Sequence, residues 1–186
     1  MDFEEIIKKR ASIREYSSKK PRIEDVIKCI ENANLAPSPG NLPILKFIVV
    51  EDPKKIEKIA EATQQEFVKQ AQILVVVCSS LKDAELAYGE FAETFVKQHT
   101  GAAIENFLLT ITNLGLASCW VVVYIKDIVR DLLEIPKEID IEAVLPVGYK
   151  LKTDKTIQRK KPSLENRIFF EKWKNKLRKP FPKIDV

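Results

Sequence analysis

The stretch from Ala84 to Leu116 constrains the fold most, because it repeats apolar residues at helical spacing and then runs straight into a second apolar segment. Phe91, Phe95, Ala102, Ala103, Phe107, Leu108, Ile111 and Leu114 spread over too wide an arc for a helix lying on a surface. Such a helix belongs in the core, with Gly101 as its candidate break. Gly115 is a natural stop, since a helix C-terminus often ends in a left-handed residue. From Ser118 to Tyr124 the pattern becomes that of a buried strand. Any fold for this chain must therefore set one long core helix directly against a sheet.

The remaining segments supply that sheet and its cover. Gln72 to Ser79 is apolar at every position, which suits a central strand covered on both faces. Leu45 to Glu51 and Ile141 to Tyr149 read as two further strands. Helices are expected over Asp2 to Lys9, with Phe3, Ile6 and Ile7 on one face, and over Pro21 to Leu35, with Pro21 in the first turn. Two more follow, at Pro53 to Ala62 and Asp127 to Leu133. Ala36 to Asn41 holds two prolines and a glycine and must be loop. The order of elements predicts an α+β sandwich around a roughly four-stranded sheet. No GxGxxG or GxxxxGK[ST] occurs, so a doubly wound nucleotide fold is excluded.

At 186 residues the chain suits one domain with a full core. Lys and Arg number 31 against 27 Asp and Glu, and the basic residues are scattered until the C-terminal stretch, which argues against a nucleic-acid partner. The apolar runs are too short to span a bilayer and the opening residues lack a signal-peptide core, so no membrane partner and a cytoplasmic location are expected. Cys29, Cys78 and Cys119 are widely spaced within apolar stretches and read as buried thiols. With one histidine, His99, and no paired cysteines, no metal site is expected. His99 itself reads as a surface or helix-packing residue. From residue 151 onward the composition is basic yet carries Phe169, Phe170, Trp173 and Phe181, aromatics that need a surface to cover.

Four clusters carry the candidate chemistry. Arg10, Ala11, Ser12 and Arg14 form either a solvated basic turn or a set of donors for a phosphate or polar ring edge. Pro39 and Asn41 lie in a rigid loop whose amide either serves its own turn or meets a heterocycle. Ser118, Cys119, Trp120, Val121 and Val122 stand at a strand entrance, where backbone N–H groups can face a ligand; Trp120 alone would read as core. Arg159, Lys160 and Lys161 make a cationic patch, read as a solvated face or a phosphate site. No GxSxG, nucleophile–base pair or spaced carboxylate pair stands out.

In order and spacing, these clusters resemble the nitroreductase family of FMN-dependent oxidoreductases, over nearly the whole chain from Ile6 to about Leu164. IIKKRASIREY resembles that family's RxSxRxF/Y signature and NANLAPSPGN its AxxAPSxxN loop. GAAIENFLLTITNLGLASCWV is similar to its AAxxNLLLAAxxLGLxSCW helix and strand; LPVGY and RKKP resemble its closing strand and phosphate clamp. After Asn41 the sequence departs from the family's QPW, giving Leu42-Pro43-Ile44-Leu45. His99 stands where the family commonly has an acidic residue.

The resemblance implies an α/β sandwich with a central, mostly antiparallel sheet of about four or five strands flanked by helices. It implies one domain over residues 1–186, with 151–186 as an arm packed on the partner of an obligate homodimer. FMN would lie at the dimer interface. Arg10, Ser12 and Arg14 would hold its phosphate, ribityl chain and pyrimidine edge, and Asn41 would reach its ring. The run from Ser118 to Val123 would pass backbone groups beside the ring, and Arg159 with Lys160 or Lys161 would complete the phosphate site. With FMN carrying the chemistry, no side chain is expected to be catalytic. The implied reaction is ping-pong hydride transfer from NADH or NADPH through the flavin N5 to a small aromatic acceptor such as a nitroaromatic or quinone. The alternatives are a specialised relative (dehalogenation, heterocycle oxidation or flavin chemistry) or a non-catalytic flavin- or nucleic-acid-binding protein.

Overall fold

A computed structural model describes residues 2–153 and 163–176. Its centre is strand β2 (Ile73–Ser80), in which every residue is buried. Strand β1 (Leu45–Val50) pairs with one edge of β2 and β4 (Ile139–Gly148) with the other, while the short β3 (Ala117–Ser118) pairs with β4. All three pairings are antiparallel and the strand order is β1-β2-β4-β3.

The alternation of side chains along β2 builds two cores at once. Leu74, Val76 and Cys78 face one side, where they meet Ile56, Ile59 and Ala60 of α3 (Pro53–Thr63) and Val129 of α6 (Lys126–Leu133). Ile73, Val75 and Val77 face the other side. They meet Val26, Cys29 and Ala33 of α2 (Ile23–Ala33) and Ala103, Ile104, Phe107 and Ile111 of α5 (Ala92–Asn113). The α+β sandwich expected from the order of elements is the fold observed. All three cysteines are buried and free, and burial pushes the Cys29 thiol up to about 12 and the Cys78 thiol up to about 11.

A bulge opposite Val77 and Cys78 leaves Glu142 of β4 as the extra residue. Its nearly buried carboxylate accepts a hydrogen bond from Ser79 Oγ at 2.6 Å and pairs with Lys97 of α5 at 2.8 Å. The bulge therefore also fixes α5 along the sheet.

Several expectations from sequence need correction. The long helical pattern breaks at Gly89, between α4 (Leu81–Tyr88) and α5, and Gly101 continues inside α5. Gly89 takes φ +54°, which an L side chain rarely adopts, whereas Gly101 is helical with the Trp120 ring 3.9 Å from where its Cβ would be. Pro21 lies before the N-cap of α2, at Arg22, rather than in its first turn. Helix α1 (Phe3–Lys9) forms but buries no residue: Phe3 and Ile7 are exposed. The third strand stops at Ser118. Beyond it only Val121 bridges to β4, and Val122 and Val123 face outward.

Residues 163–176 form a separate unit. Ser163 Oγ caps the turn Leu164–Asn166 by accepting from Glu165 N at 3.3 Å, and the rings of Phe169 and Trp173 pack at 4.7 Å.

Candidate functional site

Helix α5 carries the candidate site. Along one side, Glu105 pairs with Arg10 at 3.5 Å, and Trp120 lies over Gly101 one turn earlier. Along the neighbouring side, Gln98, His99 and Ala102 face the Pro37–Pro39 loop.

The segment after α1 is extended and lies beside β3. Ser12 bridges Ser118 in parallel, and Ile13 N donates to Ser118 O at 3.0 Å. Downstream, Tyr16 donates from its hydroxyl to Ile13 O at 2.7 Å and packs against Gly148, where a Cβ would lie 2.8 Å from the Tyr16 ring. These contacts hold Arg10, Ala11, Ser12 and Arg14 against Ser118 and Cys119, so two distant clusters become one surface. Cys119 is buried, which holds its thiol up and protonated; Arg14 and a hydrogen bond with Ser12 oppose that shift without overcoming it. Arg14 is exposed, with its guanidinium carbon 5.8 Å from the Phe67 ring centroid. Val121 is buried by its bridge to Val144, while Trp120, Val122 and Val123 are 38%, 59% and 69% exposed.

Two polar atoms within this surface, Arg10 Nε and Ser118 Oγ, are sealed from solvent and have no hydrogen-bond partner. Arg10 Nε approaches Glu105 only as an ion pair. A buried polar group left unsatisfied costs about 1–3 kcal/mol. Two such groups on adjacent segments fit a polar ligand.

Pro39 lies in the loop that faces Gln98, His99 and Ala102 of α5, with Asn41 two residues further along it. Gly40 and Asn41 both take left-handed backbone, with φ +55° and +57°. A Cβ on Gly40 would collide with the Tyr88 hydroxyl. Gly40→Ala is expected to lower stability by about 1–3 kcal/mol, and a Tyr88→Phe background should recover part of that loss in urea denaturation. No recovery would mean that the left-handed backbone alone requires glycine.

Sequence reasoning missed Tyr88 and Gln98, which no motif marks, took Phe95 only as part of the apolar face of the long helix, and read His99 only as a surface or packing residue. His99 is buried and its Nδ1 has no partner. Burial lowers its pKa below the ordinary 6.5, which keeps the ring neutral at neutral pH. As pH falls through 6.5 the unfolded chain takes up the proton first, so stability declines until the folded histidine also titrates. His99→Gln should therefore flatten the loss of stability between about pH 7 and pH 5, read by urea denaturation. An unchanged slope would exclude His99 as its source. Arg159, Lys160 and Lys161 lie outside the described residues. No cluster of potential metal ligands occurs, and no helix is long and apolar enough to cross a membrane, among the described residues.

Comparison with known proteins bears on the same segments. The model of the Nitroreductase family matches residues 7–72 and 61–149. A protein of Archaeoglobus fulgidus assigned as an NADH dehydrogenase/NAD(P)H nitroreductase is 34% identical over 169 residues, 88% of this chain and 94% of its own. The iodotyrosine deiodinase of Thermotoga neapolitana is 28% identical over 164 residues, 78% of this chain and 87% of its own. The crystal structure of a nitroreductase family protein from Clostridium novyi superposes with a TM-score of 0.76 at 26% identity, covering 95% of this chain and 97% of that one.

Proposed function

The chain belongs to the nitroreductase family, and from that premise we propose that it is an FMN-dependent oxidoreductase. It takes hydride from NADH or NADPH and delivers it to a small aromatic acceptor, such as a nitroaromatic or quinone, by a ping-pong cycle. The observation that supports this best is that Arg10 Nε and Ser118 Oγ, on segments joined by the Ser12–Ser118 bridge, are both sealed from solvent without a hydrogen bond, Arg10 Nε having only its ion pair with Glu105.

Bound there, FMN supplies the hydride chemistry at its N5. The chain's own residues hold and tune it. Arg10 and Arg14 offer charge-assisted hydrogen bonds to the phosphate or pyrimidine edge, and their charge stabilises negative charge developing on that edge. Ser12 and Ser118 supply hydroxyl partners, Asn41 an amide that donates and accepts, and residues Ser118 to Val122 a backbone edge beside the ring. Ala11 and Pro39 shape the walls, and Arg159, Lys160 and Lys161 complete the phosphate end. Cys119 stays a protonated wall residue, since burial holds its thiol up.

Trp120, Val122 and Val123 form a run of outward apolar side chains beside that site. A second copy of the chain covers them in the homodimer we propose, with residues 151–186 as the arm that packs on the partner. The cytoplasm, where the reductant is available, is the matching location. Sedimentation tests the shared site: a dimer retaining FMN is expected, and a monomer with FMN bound would contradict it.

A second reading, reductive dehalogenation of an aromatic ring, has the deiodinase relative in its favour. Offering the NAD(P)H-reduced protein a nitroaromatic and a halophenol in parallel separates the two. Consumption of the nitroaromatic alone supports the first, and halide release from the halophenol alone the second.

A further inference from the structure

Arg10 enters the candidate site from the end of α1, a helix that buries none of its own residues. Its side chain is held from the other direction, by Glu105 of α5, whose Oε1 lies 3.5 Å from Arg10 Nε. The backbone on each side of this pair is fixed. Arg10 N donates to Ile6 O at 2.9 Å, closing α1, and Ile13 N is bonded to Ser118 O. Glu105 sits between Ile104, which is buried, and Asn106, whose amide donates to Asn32 O of α2.

Three features give the pair a use. First, the ion pair is made from Nε, and among the described residues neither terminal nitrogen of Arg10 makes a hydrogen bond. Two such nitrogens form a rigid fork that matches two oxygens of a phosphate. Second, a free arginine side chain samples many rotamers and loses that freedom on binding. A carboxylate that fixes it beforehand removes the cost. Third, the Glu105 side chain is 43% exposed, so water and salt screen its repulsion of an anion lying beyond the guanidinium. Arg14 provides the contrast. Its guanidinium carbon lies 5.8 Å from the Phe67 ring centroid, and no carboxylate pairs with it among the described residues.

We propose that Glu105 is a positioning residue of the flavin site: it fixes the Arg10 fork before the ligand arrives, and the fork receives the phosphate of FMN. The role rests on the flavin reading given above. Glu105 acts through Arg10 and makes no contact with the ligand itself. In oxidised FMN the phosphate carries the charge at neutral pH. Glu105 therefore matters for FMN and not for riboflavin, which has the same ring and no phosphate.

The test strips flavin from the purified protein and titrates FMN and riboflavin back, read by quenching of flavin fluorescence. The parent chain, Glu105→Gln, Arg10→Gln and the double variant are compared. Glu105→Gln should bind FMN about tenfold more weakly than the parent, a size usual for directly coupled neighbours, and riboflavin within about twofold of it. In the Arg10→Gln background the same substitution should change FMN affinity by less than about twofold. Glu105→Asp, whose carboxylate is one methylene further from Nε, should also weaken FMN binding and serves should Glu105→Gln fail to fold. FMN binding by Glu105→Gln at parental strength or tighter overturns the proposal. Equal losses for FMN and riboflavin do so too, as does a tenfold loss that persists without Arg10. A parent chain that takes up neither flavin rejects the flavin reading and this role with it; a parent that binds FMN, with Glu105→Gln unaffected, rejects the role of Glu105 alone.

Discussion

Arg10→Glu is expected to purify without FMN and to bind added FMN on the order of 100-fold more weakly than the parent chain. Arg10 is tied to α5 through Glu105, and its Nε is buried without a hydrogen-bond partner. Loss of one charge-assisted hydrogen bond costs about 1.5–3 kcal/mol. The substitution adds a carboxylate beside Glu105 and turns an attraction for an anionic ligand into a repulsion. Lys28→Glu, an exposed charge reversal on α2, should leave flavin content unchanged. Unchanged flavin occupancy in Arg10→Glu, with an unchanged melting curve, would remove Arg10 from the site.

The second large effect concerns the helix that carries the site. Phe107 is completely buried between α2 and the sheet. Its neighbours on α5 are hydrogen-bonded to α2: Asn106 Nδ2 donates to Asn32 O at 3.2 Å, and Asn32 Nδ2 donates to Thr110 Oγ1 at 3.1 Å. Those bonds limit how far α2 can collapse into a cavity. Phe107→Ala should therefore cost about 3–5 kcal/mol, near the upper end for a core truncation. For a chain of this size that is a fall in Tm of roughly 10 °C or more. The same helix carries Glu105 and His99, so flavin retention should fall as well. A loss below about 1 kcal/mol would mean that α5 is packed more loosely than the fold requires.

Strand β2 was legible in the sequence because both of its faces are core, so every residue from Ile73 onward is apolar or small. The segment after Ser118 was misread for a related reason. Trp120, Val122 and Val123 are apolar, and apolar composition says that a residue is covered without saying by what. Strand pairing would have covered them within the chain; instead they stay outward, as a partner or ligand surface does. That the helix breaks at Gly89 and not at Gly101, the break expected from sequence, depends on a backbone angle and on Trp120 packing over Gly101, neither of which is a local signal.

The candidate site divides along the same line. The RASIR and LASCW segments could be picked out one at a time, since each is short and contiguous. Their meeting through the Ser12–Ser118 bridge is a long-range pairing, expected only from the family resemblance. That Gln98, His99 and Ala102 face the Pro37–Pro39 loop was not legible at all. The arrangement is assembled from that loop, the end of α4 and one side of α5, with Tyr88 seated against Gly40.

The most direct measurement is the visible absorbance spectrum of the purified protein, recorded anaerobically before and after NADH and then NADPH. Oxidised flavin bands at one FMN per protomer, bleached by at least one reductant and restored by a nitroaromatic or quinone, are the predicted result. A colourless protein that takes up no FMN on reconstitution would contradict the reading of Arg10, Ser12 and Ser118 as a flavin site.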